Sequence, residues 1–182
     1  MTQDADPVSA PEAYRQSLLA ALGDDDPAVA QRETPAAIRA LVAEAGSLLR
    51  VRPEPGEWSV LECVGHITDS ELVAGARERW IVSEDEPVIV GYDQALWVDR
   101  LGHNADDPGL LVATFEALRA ANLDLWARRP VADRARIGRH AERGPESYEM
   151  TFRLAAGHDR VHLDQARRAL AAVRRGSIKV QS

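Results

Sequence analysis

Two histidines, His158 and His162, stand four residues apart in the segment Gly157-His158-Asp159-Arg160-Val161-His162. On an α-helix that spacing separates two side chains by roughly 40° around the axis, so both imidazoles leave one face. Such a pair can grip one metal ion, or it can be no more than a surface or core feature. The face it shares continues through Tyr148, Thr151, Ala155, Gln165, Ala166, Ala169 and Val173. This small, largely apolar stripe belongs in a bundle interior. The other side carries Asp159, Arg160, Asp164, Arg167 and Arg168 and suits solvent. Imidazoles turned into a core need partners, because unsatisfied buried polar groups are costly, and a metal supplies them. His66 is the best candidate for a third ligand. Its wheel face holds Ser59, Glu62, Cys63, Ser70, Val73 and Arg77, polar but not freely charged, with Val60, Val64, Ile67 and Ile81 to one side. Three histidines with one position open are the usual arrangement of a catalytic rather than a structural ion. Imidazole suits zinc or nickel better than magnesium.

Several neighbours compete for roles. Glu62 and Asp69 are placed to orient His66 as hydrogen-bond acceptors, although Glu62 is equally placed to cap its helix. Arg77 has the fork to bind a substrate carboxylate, or it pairs with Glu62 or another acid. Cys63 reads as a small buried filler before a soft ligand or nucleophile. His103 and His140 fall in expected loops, where exposed histidines are the rule; either could approach the metal or a substrate. The tryptophans Trp58, Trp80, Trp97 and Trp126 read as core or pocket-rim residues.

The elements that must position these residues are helical. Residues 11–22 form a short helix ended by Gly23. Asp24-Asp25-Asp26-Pro27 is a helix start with acids at the positive end. Thr34-Pro35 is a second start, a hydroxyl cap followed by Pro at the first helical position. The sequence Ser59-Val60-Leu61-Glu62 is a capping box. Asp93–Leu101 gives one or two turns, and Gly102-His103-Asn104 a stop. Leu111, Phe115, Leu118, Leu125 and Trp126 form the stripe of a later helix. Val131–Gly144 is a loop with room for a short hairpin, and Gly176 stops the last helix. No convincing strand alternation occurs, so the fold class is all-α, with main helices near 35–50, 59–82, 108–129 and 145–175.

The run Glu57-Trp58-Ser59-Val60-Leu61-Glu62-Cys63-Val64-Gly65-His66-Ile67-Thr68-Asp69-Ser70-Glu71 resembles the start of the second helix in the DinB-like superfamily. The likeness continues with Arg77, Glu84-Asp85-Glu86-Pro87 and Gly91-Tyr92-Asp93, and closes with Gly157–Gln165. It covers roughly residues 27–175. It implies a four-helix bundle with a divalent metal held by His66, His158 and His162. Arg139–Gly144 resembles the loop before the last helix, which makes His140 the stronger of the two loop histidines. Related families include bacillithiol- and mycothiol-dependent S-transferases and the metal-binding domain of maleylpyruvate isomerases.

Bulk properties bound the rest. The chain has 182 residues, one domain with a core near 27–175 and an extension over 1–26. A net charge of −7 argues against nucleic acid, which needs a basic face. The charge is uneven, with an acidic start that includes Asp4 and Asp6 and a basic end that includes Lys179; the latter fits the negative end of a helix. No stretch approaches the ~20 apolar residues of a membrane span, and the start is no secretory signal. Cys63 is the one cysteine, consistent with the reducing cytoplasm. The leading expectation is a metal-dependent transferase moving a low-molecular-weight thiol to a small-molecule electrophile. Metal-assisted hydrolysis, with Glu62, Asp69 or His140 as base, and a binding module without turnover are the alternatives. Assembly as a homodimer stays open.

Overall fold

The computed structural model describes residues 10–176 in full and the backbone of 177–180; Asp4, Asp6 and the side chain of Lys179 lie outside the described residues. The described residues form six α-helices, α1 (Pro11–Leu22), α2 (Pro27–Ala45), α3 (Val60–Ser83), α4 (Gln94–Leu101), α5 (Pro108–Arg128) and α6 (Tyr148–Val180), and three strands, β1 (Val88–Ile89), β2 (Ile137–His140) and β3 (Gly144–Ser147). Helices α2, α3, α5 and α6 make the bundle, and α1 packs outside on α6. One core cluster joins Ile38, Leu41, Val64, Ile67, Phe115 and Leu163 from all four bundle helices; a second stacks Trp126 on Phe152 near the other end.

Local chemistry sets most boundaries. Asp26 caps α2 by accepting from the N–H groups of Ala28 and Val29 at 2.8 and 2.9 Å. Ser59 and Glu62 close the capping box of α3, and Asp93 and Asp107 cap α4 and α5. Gly102 ends α4 in the left-handed region at φ 71°.

Four expectations are corrected. Thr34-Pro35 starts no helix: α2 runs through Pro35. Proline has no N–H for the Gln31 carbonyl, but Arg119 Nη1 donates to that oxygen at 3.0 Å, so the bond that proline removes is replaced from α5. The hydroxyl of Thr34 lies 2.8 Å from Asp159 Oδ2 instead of capping. The last helix begins at Tyr148 rather than Pro145, because 144–147 are the second strand of a hairpin, with Arg139 opposite Pro145. It also continues past Gly176. Finally, a small sheet exists. Strand β1 pairs parallel with β2, Ile89 opposite His140, a two-residue strand too short to leave an alternating pattern.

Candidate metal centre

Helix α3 brings His66 and α6 brings His158 and His162 to one buried point. His66 Nε2 lies 2.9 Å from His158 Nε2 and 3.2 Å from His162 Nε2. One ring nitrogen of each residue falls within 4.8 Å of the other two, and all three side chains are buried. Nitrogens around a tetrahedral zinc, each ~2.0–2.1 Å from it, stand roughly 3.3 Å apart, so little adjustment separates this cluster from a ligand set. Trp58 lies against the cluster, its ring 5.1 Å from that of His66 and stacked on His162 at 6.0 Å.

The donor chemistry fits a cation. His162 Nδ1 lies 2.7 Å from Gln165 Oε1; donation to that oxygen leaves the lone pair on Nε2, facing the other rings. Burial, followed by the neighbouring histidines, pushes the pKa of His66 well below the usual imidazole value. Burial does the same for His158, followed by His162 and Arg119. Neutral rings whose Nε2 lone pairs converge repel one another unless a cation or proton lies between them. These three residues therefore could hold a divalent ion.

The other expected residues are distributed differently. Glu62 completes the capping box and takes Arg52 Nε at 2.9 Å, and Asp69 meets His103 Nε2 at 2.8 Å. Neither reaches His66, whose Nδ1 is buried without a partner. Arg77 does not pair with Glu62; its Nη2 donates to the Val90 carbonyl at 3.0 Å. Cys63 is buried in the core, as expected of a filler, and burial raises its thiol pKa far above normal. The two loop histidines are not exposed. His103 is buried between Asp69 and Asp106, and those carboxylates, Asp69 first, raise its pKa. His140 is buried on β2, whose alternation turns Gly138 and His140 inward.

Sequence reasoning missed two features. A cavity opens beside His158, lined by Ser70, Arg77, Tyr92, His140, Arg143 and Glu146 among others, and walled by Tyr14, Arg15 and Leu18 of α1. Ser70 Oγ lies 3.3 Å from His158 Nε2 and 2.7 Å from the Tyr92 hydroxyl. Helix α1 can close this wall because α6 has Gly157 beneath it; a Cβ there would run into the Leu18 carbonyl. The second feature is a buried polar network. Asp159, expected on the solvent side, is 3 % exposed and lies 2.7 Å from Arg119, which also meets Glu71 at 2.7 Å. A partial signal lay in α5, where Phe115, Arg119, Asn122 and Trp126 follow the spacing of a buried seam, but that spacing does not name the partners on other helices.

A four-helix bundle with three converging histidines on two facing helices is the architecture of a metal-site bundle. A family profile, that of the DinB superfamily, matches residues 29–166, and the chain belongs to that superfamily. A protein of Oceanobacillus iheyensis, named as a candidate metal-dependent hydrolase, is 28 % identical over 108 residues, 59 % of this chain and 62 % of its own length. One of Geobacillus thermodenitrificans with a like name is 34 % identical over 67 residues, 36 % of this chain and 38 % of its own. The chain thus matches less than two thirds of either relative. YfiT from Bacillus subtilis, described as a probable metal-dependent hydrolase with an unusual four-helix bundle topology, superposes with a TM-score of 0.72 over 97 % of this chain and 95 % of its own, at 19 % identity. At that identity the likeness shows the fold. No helix among the described residues is long and apolar enough to cross a membrane.

Proposed function

We propose that His66, His158 and His162 hold one divalent ion, zinc or nickel, and that the protein is a cytoplasmic enzyme transferring a low-molecular-weight thiol to a small electrophile. The reading rests on one observation: three imidazole nitrogens from two facing helices converge, and one of the three residues, His158, lines a cavity. Bound there with a position open, such an ion supplies Lewis acidity and lowers the pKa of a thiol or water toward neutrality. The chain's own residues do the rest. Burial keeps His66 and His158 unprotonated at neutral pH, and Gln165 fixes the ring of His162. The hydroxyls of Ser70 and Tyr92, paired beside His158, can pass a proton to or from the leaving group. Val73, Ala74 and Leu154 line the cavity with apolar surface that limits water around the electrophile.

The carboxylates nearest the triad favour thiol transfer over hydrolysis, because each is engaged elsewhere: Glu62 with Arg52, Asp69 with His103, Glu71 and Asp159 with Arg119. A water nucleophile wants a base within hydrogen-bond reach. Hydrolysis is the second reading. It is favoured by the names of the relatives and by Glu142, an exposed carboxylate on the cavity wall with no ion pair among the described residues. The test is a panel on the metal-loaded protein. Mycothiol, bacillithiol and glutathione are offered with monochlorobimane, and p-nitrophenyl esters are offered without thiol. Thiol conjugation that disappears on chelation and returns with the ion supports the proposal. Metal-dependent ester cleavage alone selects the second reading, and metal binding with neither activity leaves a binding module.

A further inference from the structure

We infer that the cavity beside His158 takes substrates that carry a carboxylate, seated on Arg77 and His140 away from the histidine triad. This rests on the cavity being the substrate site, as proposed above. The starting point is a contrast among guanidinium groups, Arg119 buried and Arg77 and Arg143 half-buried. Arg119 is paired with Glu71 and Asp159, and Arg143 lies 2.8 Å from Glu146. Arg77 has no carboxylate within ion-pair distance among the described residues. Its one hydrogen bond goes to the Val90 carbonyl, and its Nε is buried without a partner. A partly desolvated cation with no ion pair and a buried, unpartnered N–H is costly to keep. Burial, followed by the neighbouring Arg143, already weakens its hold on the proton.

His140 supplies the second, independent observation. It is 2 % exposed. Its Nδ1 accepts from the Glu142 N–H at 3.3 Å, so the neutral ring carries its proton on Nε2. That nitrogen is buried and has no partner. Burial, then Arg143 and Arg77, lowers its pKa to about 4, so it is a neutral donor at pH 7. Two unpartnered donors thus line one cavity. Of its four acids, Glu146 is held by Arg143 and by Thr151 at 3.0 Å, and Glu71 and Asp159 are held by Arg119. The fourth, Glu142, is exposed and makes no ion pair with Arg77 among the described residues, so it can turn to solvent when a ligand enters. A planar guanidinium presents parallel N–H groups to a carboxylate, and the imidazole N–H adds a further bond.

The placement sets the orientation. Ser70 is within 3.3 Å of His158 Nε2, and Arg77 is seven residues further along α3, roughly 10 Å of helix. A carboxylate on Arg77 therefore leaves the other end of the substrate at His158.

The experiment is calorimetric titration of benzoate, 3-phenylpropionate and hexanoate, each against its primary amide, into the metal-loaded protein, repeated with chelator. We expect at least one acid to bind and its amide to bind roughly tenfold more weakly or worse. Chelation should leave that affinity unchanged. Arg77→Met should weaken it by a similar factor with helicity and metal content intact, and His140→Asn should weaken it less. If Arg77→Met fails to fold, the acid–amide ratio on the wild type and His140→Asn decide. Acids that bind no better than amides, or not at all, overturn the inference. So does binding that vanishes on chelation and ignores Arg77→Met, because the carboxylate then sits on the ion. Phenyl phosphate binding more tightly than every acid, through Arg77, assigns a phosphate ester instead. Arg77-dependent acid binding without any metal-dependent turnover preserves this inference and removes the proposed function.

Discussion

Two polar clusters lie side by side in this bundle, and they are finished to different degrees. Around Arg119, nearly every group has a partner. Nη1 serves Asp159 and the Gln31 carbonyl, Nη2 serves Glu71, Asn122 donates to Glu71 at 2.7 Å, and Thr34 meets Asp159; among these groups Arg119 Nε is left over, and beyond them Oε2 of the neighbouring Glu78. Around His66, the histidine nitrogens face one another, His66 Nδ1 has no partner, and the nearby cavity holds the unpartnered donors of Arg77 and His140. The boundary between the clusters falls between adjacent residues, Asp159 and His158. A saturated buried network supports the fold, whereas an unsaturated one at a cavity points to a missing ligand.

The largest effect should come from breaking the saturated cluster. Arg119→Met strands Glu71 and Asp159 in the core and frees the Gln31 carbonyl that Pro35 cannot satisfy. A loss of about 3–5 kcal/mol is expected, measured by urea unfolding. A variant as stable as the wild type would remove the distinction between the clusters.

His162→Ala should do the opposite, sparing the fold and abolishing the ligand set. Helix α3 has its cap and α6 its apolar face, so the metal-free variant should stay helical, within about 1 kcal/mol of metal-free wild type. Metal affinity should fall by more than the ~100-fold that loss of an outer partner can cause, and any turnover should go with it. Metal content, circular dichroism and activity are read on one sample. If variant and metal-free wild type are both unfolded, the ion is structural and the enzyme proposal loses its main support.

Gly157→Ala is intermediate, because it acts on the wall of the unsaturated cluster without touching its polar groups. The added methyl meets the Leu18 carbonyl and must lift α1, costing roughly 1–3 kcal/mol. Hydrogen exchange should quicken over residues 11–22, while Arg119 and its partners stay protected. Protection unchanged in α1 would mean that the helix does not depend on this close approach.

The same contrast explains what the sequence could tell. Helix starts governed by one local cap, such as Ser59-Glu62 or Asp26-Pro27, were legible because the deciding atoms lie within four residues. The convergence of His66, His158 and His162 was legible from helical spacing and the family resemblance. Thr34-Pro35 was misleading because its helix survives on a bond from Arg119 in α5, and Asp159 was misplaced because its partners come from α2 and α5. The hairpin took the place of the first turn of α6, since strand pairing between Arg139 and Pro145 leaves no short-range periodicity. The cavity needed α1, β2 and α3 together. Sequence spacing reports what one element does to itself; partners that arrive from other elements are silent in it.

The smallest effect separates two buried histidines by pH. His103 belongs to a finished arrangement: Asp69, followed by Asp106, raises its pKa after burial is offset. The folded state therefore binds its proton more tightly than the unfolded state, whose value is about 6.5. Its stabilisation is fully present below that pH and is lost as pH rises through the folded value. His140 is the reverse case. Burial, followed by Arg143 and Arg77, lowers its pKa to about 4, so between roughly pH 6.5 and 4 the unfolded chain binds the proton that the folded chain refuses, and stability falls as pH falls. His103→Gln should thus be most damaging near pH 5.5 and less so near pH 9. His140→Gln should be most damaging near neutrality and should recover relative to wild type as the pH drops toward 4. Thermal unfolding is followed with chelator present, so that proton competition at the metal does not enter the difference. Two parallel profiles would show that His103 and His140 do not differ in how their environments treat the proton. Opposite slopes would confirm that the saturated histidine holds its charge while the unsaturated one stays neutral, as a donor at the cavity must.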